Sequence, residues 1–171
     1  MNNKPTRKPN RLKNYNYSDN GAYFITICTK DRKCTLSSVG VGVPDDPFEA
    51  PMIKLTQLGE TVETVLNEMS NFYDNISIDN FVIMPNHIHL MLIISNSGSP
   101  RTTTPTTNAV SAFVSSFKRF SNKRFGNSIW QRSFYDHIIR DEADYLKITN
   151  YINSNAAKWF EDKYYTQKAH D

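Results

Sequence analysis

The sequence predicts an α+β fold of the ferredoxin-like, split βαβ type: a four-stranded antiparallel sheet with helices on one face, plus an added C-terminal helix. Three observations predict it. Two segments carry apolar residues at helical spacing, and two β-branched runs between them flank a Pro-Asn pair. One further strand-like run precedes the first helical segment, and another follows the second. The predicted order is strand, helix, strand, strand, helix, strand and a last helix.

The first strand and helix are predicted in the first half of the chain. Residues 23–29 (YFITICT) are aromatic and β-branched, as is typical of a strand. Residues 37–51 have no period and are rich in Gly and Pro, which predicts a loop insertion. An amphipathic helix is then predicted from apolar residues three and four apart, namely Leu58, Val62, Val65, Leu66, Met69 and Phe72.

A hairpin is predicted in the middle of the chain. Residues 76–84 and 87–95 are apolar and β-branched, and the Pro85-Asn86 pair between them suits a turn. Residues 96–107 (NSGSPRTTTPTT) are polar and rich in Ser, Thr and Pro, which indicates a linker.

The second half adds a helix, a strand and a last helix. The second amphipathic helix is marked by Val110, Phe113, Val114, Phe117 and Phe120. Residues 134–140 (FYDHIIR) are predicted as the fourth strand. Asp141 is the expected N-cap of a last helix that runs to about Trp159.

Length and composition indicate one globular domain. The 171 residues are 39% apolar, and no apolar run reaches the roughly 18 residues of a membrane span. We predict a basic flexible arm at residues 1–20, a single domain at residues 21–162 and a tail at residues 163–171. The start has no apolar segment of a secretory signal, and two cysteines are too few for a disulfide scaffold, so a cytoplasmic protein without membrane contact is expected.

Charge is distributed unevenly. Residues 45–79 hold eight acids against Lys54, whereas residues 114–140 hold six basic residues against Asp136. Aromatic residues lie among these cations, which is typical of a nucleic-acid surface; a solvated helix face is the alternative. The cations expected to contact phosphate in this half are Lys118, Arg119, Lys123, Arg124, Arg132 and Arg140, and the aromatic residues are Phe117, Phe120, Phe125 and Trp130.

Two histidines are predicted on one face of a strand. His87 and His89 are two residues apart, so both imidazoles point to one side while Ile88 and Leu90 point to the other. This arrangement is half of a metal site, although a structural histidine pair has the same spacing.

The last predicted helix carries a polar stripe of Lys147, Tyr151, Asn155 and Lys158. A phenol has a pKa near 10, so Tyr151 would need help from cations or a metal to act as a nucleophile; a packing role is the alternative. Asn155, one turn on, offers an oxygen ligand suited to Mg²⁺ or Mn²⁺.

These segments resemble a known family. Residues 81–92 (FVIMPNHIHLML) are similar to the His-hydrophobic-His strand of the HUH single-tyrosine transposases, specifically the REP-associated tyrosine transposases. Three more segments, covering residues 23–26 (YFIT), 130–140 (WQRSFYDHIIR) and 151–158 (YINSNAAK), resemble other parts of that family. The last of these differs in one respect, since Ala156 stands where the family usually has Pro.

The resemblance implies a metal-dependent transposase. His87, His89 and Asn155 would ligate Mg²⁺ or Mn²⁺, and Tyr151 would attack single-stranded DNA to form a 5′-phosphotyrosine and release a 3′-OH, with no nucleotide cofactor. Lys147 and Lys158 would contact the DNA. The expected partners are hairpin or palindromic element ends, and the protein would act as a monomer or a homodimer.

Two alternatives remain at this point. One is a non-catalytic ferredoxin-like module that binds nucleic acid on its sheet, although the chain lacks the aromatic RNP1-type stretch that such modules use. The other is a structural zinc site that joins Cys28 or Cys34 to the histidine pair, which would leave no open position for a phosphate.

Overall fold

The computed structural model describes residues 19–40, 51–95 and 108–165. The strands are β1 (Gly21–Cys28), β2 (Ser37–Gly40), β3 (Met52–Leu55), β4 (Ile76–Ile83), β5 (His87–Ile94) and β6 (Tyr135–Ile139). The helices are α1 (Gln57–Met69), α2 (Ala109–Phe125) and α3 (Glu142–Ser154), and short 3₁₀ turns lie at Lys30–Arg32 and Trp159–Glu161. The predicted arm up to residue 18, residues 41–50 of the predicted loop, the predicted linker and most of the predicted tail lie outside the described residues.

Four strands form one antiparallel sheet in the order β4-β5-β1-β6. The pairing of β1 with β5 places Cys28 opposite His87 and Thr26 opposite His89. The predicted fold class, including the hairpin and the adjacency of these two strands, is confirmed.

The main core lies between this sheet and the helices α1 and α2. Alternate residues of the central strands point into it, including Ile25 and Ile27 of β1 and Ile88 and Leu90 of β5, all fully buried. The helices contribute Val62, Leu66, Phe113 and Phe117, which the predicted helical period had placed on one face.

The opposite face of the sheet carries α3 and a smaller apolar cluster. Ile148 and Ile152 of α3 pack on Phe24, Met91 and Ile139 of the sheet. Three polar contacts fix the helix along the sheet: Tyr145 donates to Asp79 (2.7 Å), Asn80 donates to Asn153 (3.0 Å), and His137 pairs with Asp144 (2.8 Å). This second face is where the predicted histidine and tyrosine side chains meet.

Two predicted boundaries are wrong. The expected loop at residues 37–51 contains β2, which pairs with β3 as a separate two-stranded sheet, because a partner strand supplies the hydrogen bonds that local periodicity does not reveal. α3 ends at Ser154 and not near Trp159. After Asn155 the chain forms turns and a short 3₁₀ helix in place of further α-helix. This path buries Asn155, Trp159 and Tyr164, which a continued helix would not bring to the site together.

No helix in residues 19–40, 51–95 and 108–165 is long and apolar enough to cross a membrane.

Gly59 marks a close approach between α1 and the segment before β2. A Cβ atom at this position would lie 2.0 Å from the carbonyl oxygen of Leu36, which also accepts hydrogen bonds from the Thr56 amide and hydroxyl. We expect Gly59→Ala to lower the free energy of unfolding by about 1–3 kcal/mol, as overpacking against backbone does. Urea denaturation measures the change.

Gly40→Ala is the matched control, because nothing lies within 4 Å of a Cβ atom there. The control should stay within about 0.5 kcal/mol of the original protein, as surface substitutions usually do. Equal losses in the two variants would contradict the close-approach argument.

Candidate metal and nucleophile site

The two histidines of β5 lie side by side on the α3 face of the sheet. Their Nε2 atoms are 2.9 Å apart, and the side chains are almost fully buried. Their neighbours Ile88 and Leu90 point into the main core, as the two-residue period predicts. A separation this short needs a proton shared between the two nitrogens, or a cation that both nitrogens contact.

The far nitrogen of each imidazole is anchored. His87 Nδ1 lies 2.8 Å from Asn86 Oδ1, and His89 Nδ1 lies 2.8 Å from Thr26 Oγ1. Asn86 donates its amide nitrogen to the Tyr164 carbonyl (2.7 Å), so its oxygen faces His87 and accepts the proton on Nδ1. The Nε2 lone pair of His87 is therefore directed into the site, as in histidines that ligate metals.

Both imidazoles are electrically neutral in this setting. The pKa of His87 is lowered to about 4, mainly by burial; the Asp162 carboxylate opposes this shift, and the positive charges of Lys163 and Arg32 add smaller contributions to it. Burial, then the neighbouring His87 and Lys163, lower the pKa of His89 well below its usual value. Neutral imidazole is the form that binds a metal ion.

Tyr151 reaches the histidine pair from α3. Its hydroxyl lies 3.3 Å from His89 Nε2 and donates to Asp162 Oδ2 at 3.1 Å. The Phe24 ring packs edge-on against the phenol and stacks on His89, with ring centroids 6.0 and 5.1 Å away, and so fixes both rings. The predicted helical tyrosine therefore faces the site and is only partly buried.

The electrostatics of Tyr151 differ from the sequence expectation. Burial, followed by the Asp162 carboxylate, raises the pKa of Tyr151 to about 12. Lys147 and Lys158, which were expected to lower it, are exposed, and the charged group in contact with the phenol is an acid. A bound cation would oppose this effect, because it would favour the phenolate.

Asp162 is a site residue that the sequence analysis missed. One ligand atom from each of His87, His89 and Asp162 lies within 4.8 Å of the others. The Tyr164 amide donates to Asp162 Oδ1 at 2.7 Å and holds the carboxylate in place. Two imidazole nitrogens and one carboxylate oxygen form a donor set for a divalent cation.

Asn155 lies beside this group. It is almost fully buried, and its amide nitrogen lies 3.5 Å from Asp162 Oδ2. Its carbonyl oxygen is buried and has no hydrogen-bond partner among the described residues. A buried oxygen without a donor fits the predicted role as a further metal ligand.

Tyr164, expected in the tail, covers the histidine pair. Its ring is 9% exposed and lies 4.7 Å from the His87 ring and 6.1 Å from the His89 ring, centroid to centroid. Trp159 lies beyond it, 6.1 Å from the His87 ring. The segment after α3 therefore forms one wall of the site.

The structure assigns internal partners to some of the predicted DNA-contacting cations. Lys118 donates to the carbonyls of Gln131, Arg132 and Ser133 at 2.8–3.3 Å, and Arg124 pairs with Glu68 at 3.0 Å. The remaining cations of the predicted set are exposed, namely Arg119, Lys123, Arg132, Arg140, Lys147 and Lys158. Contact of all eight with DNA stays a prediction.

Two of the four aromatic residues expected on a nucleic-acid surface lie elsewhere. Phe117 is fully buried in the main core, and Trp130 is 5% exposed and donates its indole N–H to Ser121. The expectation is wrong for these two residues, because Phe117 lies on the α2 face that packs on the sheet and Trp130, which follows the helix, packs against Phe117 with ring centroids 5.4 Å apart.

The structure does not support the alternative of a structural zinc site that joins a cysteine to the histidine pair. Cys28 lies opposite His87, yet the ligand group among the described residues takes Asp162 as its third member and includes neither cysteine.

Comparisons with known proteins agree with the sequence resemblance. The family model described as "Transposase IS200 like" matches residues 50–155. An uncharacterised protein of Haemophilus influenzae is 33% identical over 178 residues, which cover 93% of each chain.

Two solved structures are also similar. A REP-associated tyrosine transposase bound to a REP hairpin superposes with a TM-score of 0.64 at 20% identity, over 90% of this chain and 76% of that one, and shares the fold. A putative transposase of Deinococcus radiodurans gives a TM-score of 0.46 at 17% identity, over 84% and 97% of the two chains.

Proposed function

Because the chain belongs to the family of IS200-like transposases, we propose that it cleaves and rejoins single-stranded DNA through a covalent bond to Tyr151. The observation that carries the proposal is the position of the Tyr151 hydroxyl, 3.3 Å from His89 Nε2 and in contact with Asp162. A nucleophile next to a metal-ligand group is the minimum that phosphodiester transfer requires.

The residues around the phenol fit a divalent cation, Mg²⁺ or Mn²⁺. His87, His89 and Asp162 would hold it, and the unpartnered oxygen of Asn155 lies beside them. When bound, the cation would polarise the scissile phosphate and favour the phenolate of Tyr151.

The protein's own part in the reaction is to place and deprotonate the nucleophile. Asp162 accepts the hydrogen bond of the Tyr151 hydroxyl and is placed to take its proton as the phenolic oxygen attacks phosphorus. The bond from phosphorus to the 3′ oxygen breaks, and this oxygen takes up a proton from water, which leaves a 5′-phosphotyrosine and a free 3′-OH. A 3′-OH can attack the phosphotyrosine in turn, so joining needs no nucleotide cofactor.

Hairpin DNA is the substrate class we infer. The structural neighbour with the same fold is described as bound to a REP hairpin, and this chain carries exposed cations on α2, after β6 and on α3. Such cations supply affinity for the phosphate backbone without reading sequence.

The test is a search for covalent adducts. The full chain is incubated with a library of DNA hairpins that carry single-stranded flanks, with Mn²⁺ or with EDTA, and separated on a denaturing gel. We expect a protein–DNA adduct with Mn²⁺ and none with EDTA. Hairpin binding without any adduct would support the non-catalytic nucleic-acid module instead.

A further inference from the structure

We propose that Arg32 and Lys163 form a phosphate clamp at the edge of this site, which binds the backbone of the single-stranded DNA beside the scissile phosphate. The inference rests on the proposed function, because it takes the histidine pair and Tyr151 as the point of cleavage. Neither cation was a candidate from the sequence.

The two cations lie on one aromatic ring next to the histidines. The Arg32 guanidinium and the Lys163 ammonium lie 5.2 and 4.9 Å from the centre of the Tyr164 ring, which itself packs against His87. Both side chains are exposed, so their charges are open to a ligand. Both cations therefore contact a ring that packs against a candidate metal ligand, and Lys163 directly follows another, Asp162.

An exposed aromatic ring adjoins the clamp. Lys163 also lies 5.5 Å from the centre of the Tyr135 ring, which is 45% exposed. Tyr135 is opposite Thr26 in the sheet, and Thr26 contacts His89. Cations beside an exposed aromatic ring are what proteins use to bind single-stranded DNA, since the charges take phosphates and the ring takes a base.

The backbone that carries Arg32 is strained. Asp31 and Arg32 have φ angles of 57° and 54°, and they are the non-glycine residues with positive φ in the described part of the chain. Side chains in this left-handed region cost free energy, and such strain concentrates at ligand clamps and active sites. The turn is held by the Lys30 amide, which donates to the Ile129 carbonyl at 2.7 Å.

The two cations of the clamp would offset the negative charge of Asp162 at this site. Asp162 would repel an incoming phosphate, whereas Arg32 and Lys163 attract it from the same side of the sheet. Lys118 and Arg124, by contrast, already have internal partners.

The test measures the salt dependence of binding to a 20-nucleotide oligo-dT strand without metal, so that cleavage is not required. Each phosphate contact contributes about −0.7 to the slope of log affinity against log salt for single strands. We expect the double variant Arg32→Gln/Lys163→Gln to flatten the slope by about 1.4. Lys54→Gln, an exposed lysine of β3, is the matched control and should leave the slope unchanged.

Two further variants separate binding from support of the Tyr164 ring. The variant Arg32→Lys/Lys163→Arg keeps both charges and should keep the slope. Tyr164→Leu removes the ring and should change the slope by less than about 0.7, which is the contribution of one phosphate contact. An unchanged slope in the double Gln variant, or an equal flattening by Tyr164→Leu, would overturn the clamp. Absence of any covalent adduct from the original protein with Mn²⁺ would overturn the proposed function, whatever the slopes.

Discussion

Replacing Tyr151 with phenylalanine is expected to abolish the covalent DNA adduct, with a loss of at least about 1,000-fold. The substitution keeps the ring that packs against Phe24 and His89 but removes the hydroxyl that contacts Asp162. Folding and DNA binding should stay within about 1 kcal/mol of the original protein, because a single hydrogen bond contributes about that much. Adduct formation on a denaturing gel measures the loss.

The control is the other tyrosine beside the histidines. Tyr164 packs closer to His87 than Tyr151 does to His89, and burial raises its pKa to about 12 as well. Tyr164→Phe should still form the adduct, because Asp162 accepts the proton of Tyr151. The phosphate should map to the tryptic fragment from Ile148 to Lys158. An adduct in Tyr151→Phe, or a phosphate on any other fragment, would refute the assignment.

Removal of one imidazole is expected to have the second largest effect. His89→Ala should weaken Mn²⁺ binding by about 100-fold or more, since even residues that only support a metal ligand contribute about 10–100-fold. Cleavage should fall with it, while DNA binding through exposed cations persists. Asp162→Asn should also weaken Mn²⁺ binding, because it replaces a charged ligand with a neutral amide. Calorimetry on the DNA-free protein measures metal affinity independently of cleavage.

His137→Ala is the matched control for the loss of an imidazole. His137 lies on β6 and pairs with Asp144, outside the ligand group. This variant should keep its affinity for Mn²⁺. Because an alanine at the buried position of His89 leaves a cavity, His89→Leu, which fills the space but offers no ligand atom, serves as a second variant whose folding is checked by circular dichroism. Mn²⁺ binding at the original affinity in either His89 variant would exclude the metal assignment.

Local patterns were sufficient to predict the fold and half of the candidate site. The two-residue spacing of His87 and His89 fixes their common face in any strand, and the structure confirms it. The helical period that marks α1 and α2 likewise gave the residues of the main core. These features depend on neighbours in sequence, which is why a sequence reveals them.

The site residues that the sequence does not predict lie in the segment after α3, which folds back against the histidine pair. Asp162 lies eleven residues beyond Tyr151, past the end of the helix, so no helical or strand period relates the two. Tyr164 was assigned to the tail for the same reason. Lys118 shows a different limit of prediction from sequence. Its position on the polar face of α2 is evident from the helical period, but its hydrogen bonds to the loop carbonyls of residues 131–133 are not.

The division of the sheet into two faces makes the proposed activity depend on the docking of α3 and of the segment after it. A folding intermediate that held only the sheet and the α1–α2 core would contain both histidines but would not yet have placed Tyr151, Asn155 and Asp162, which belong to α3 and the segment after it. Asn86 strengthens the link, because it contacts His87 and the Tyr164 carbonyl through the same amide group. A molecule folded only to this stage would keep exposed cations such as Arg119 and Lys123, but it would lack the proposed nucleophile and one of the three grouped metal ligands.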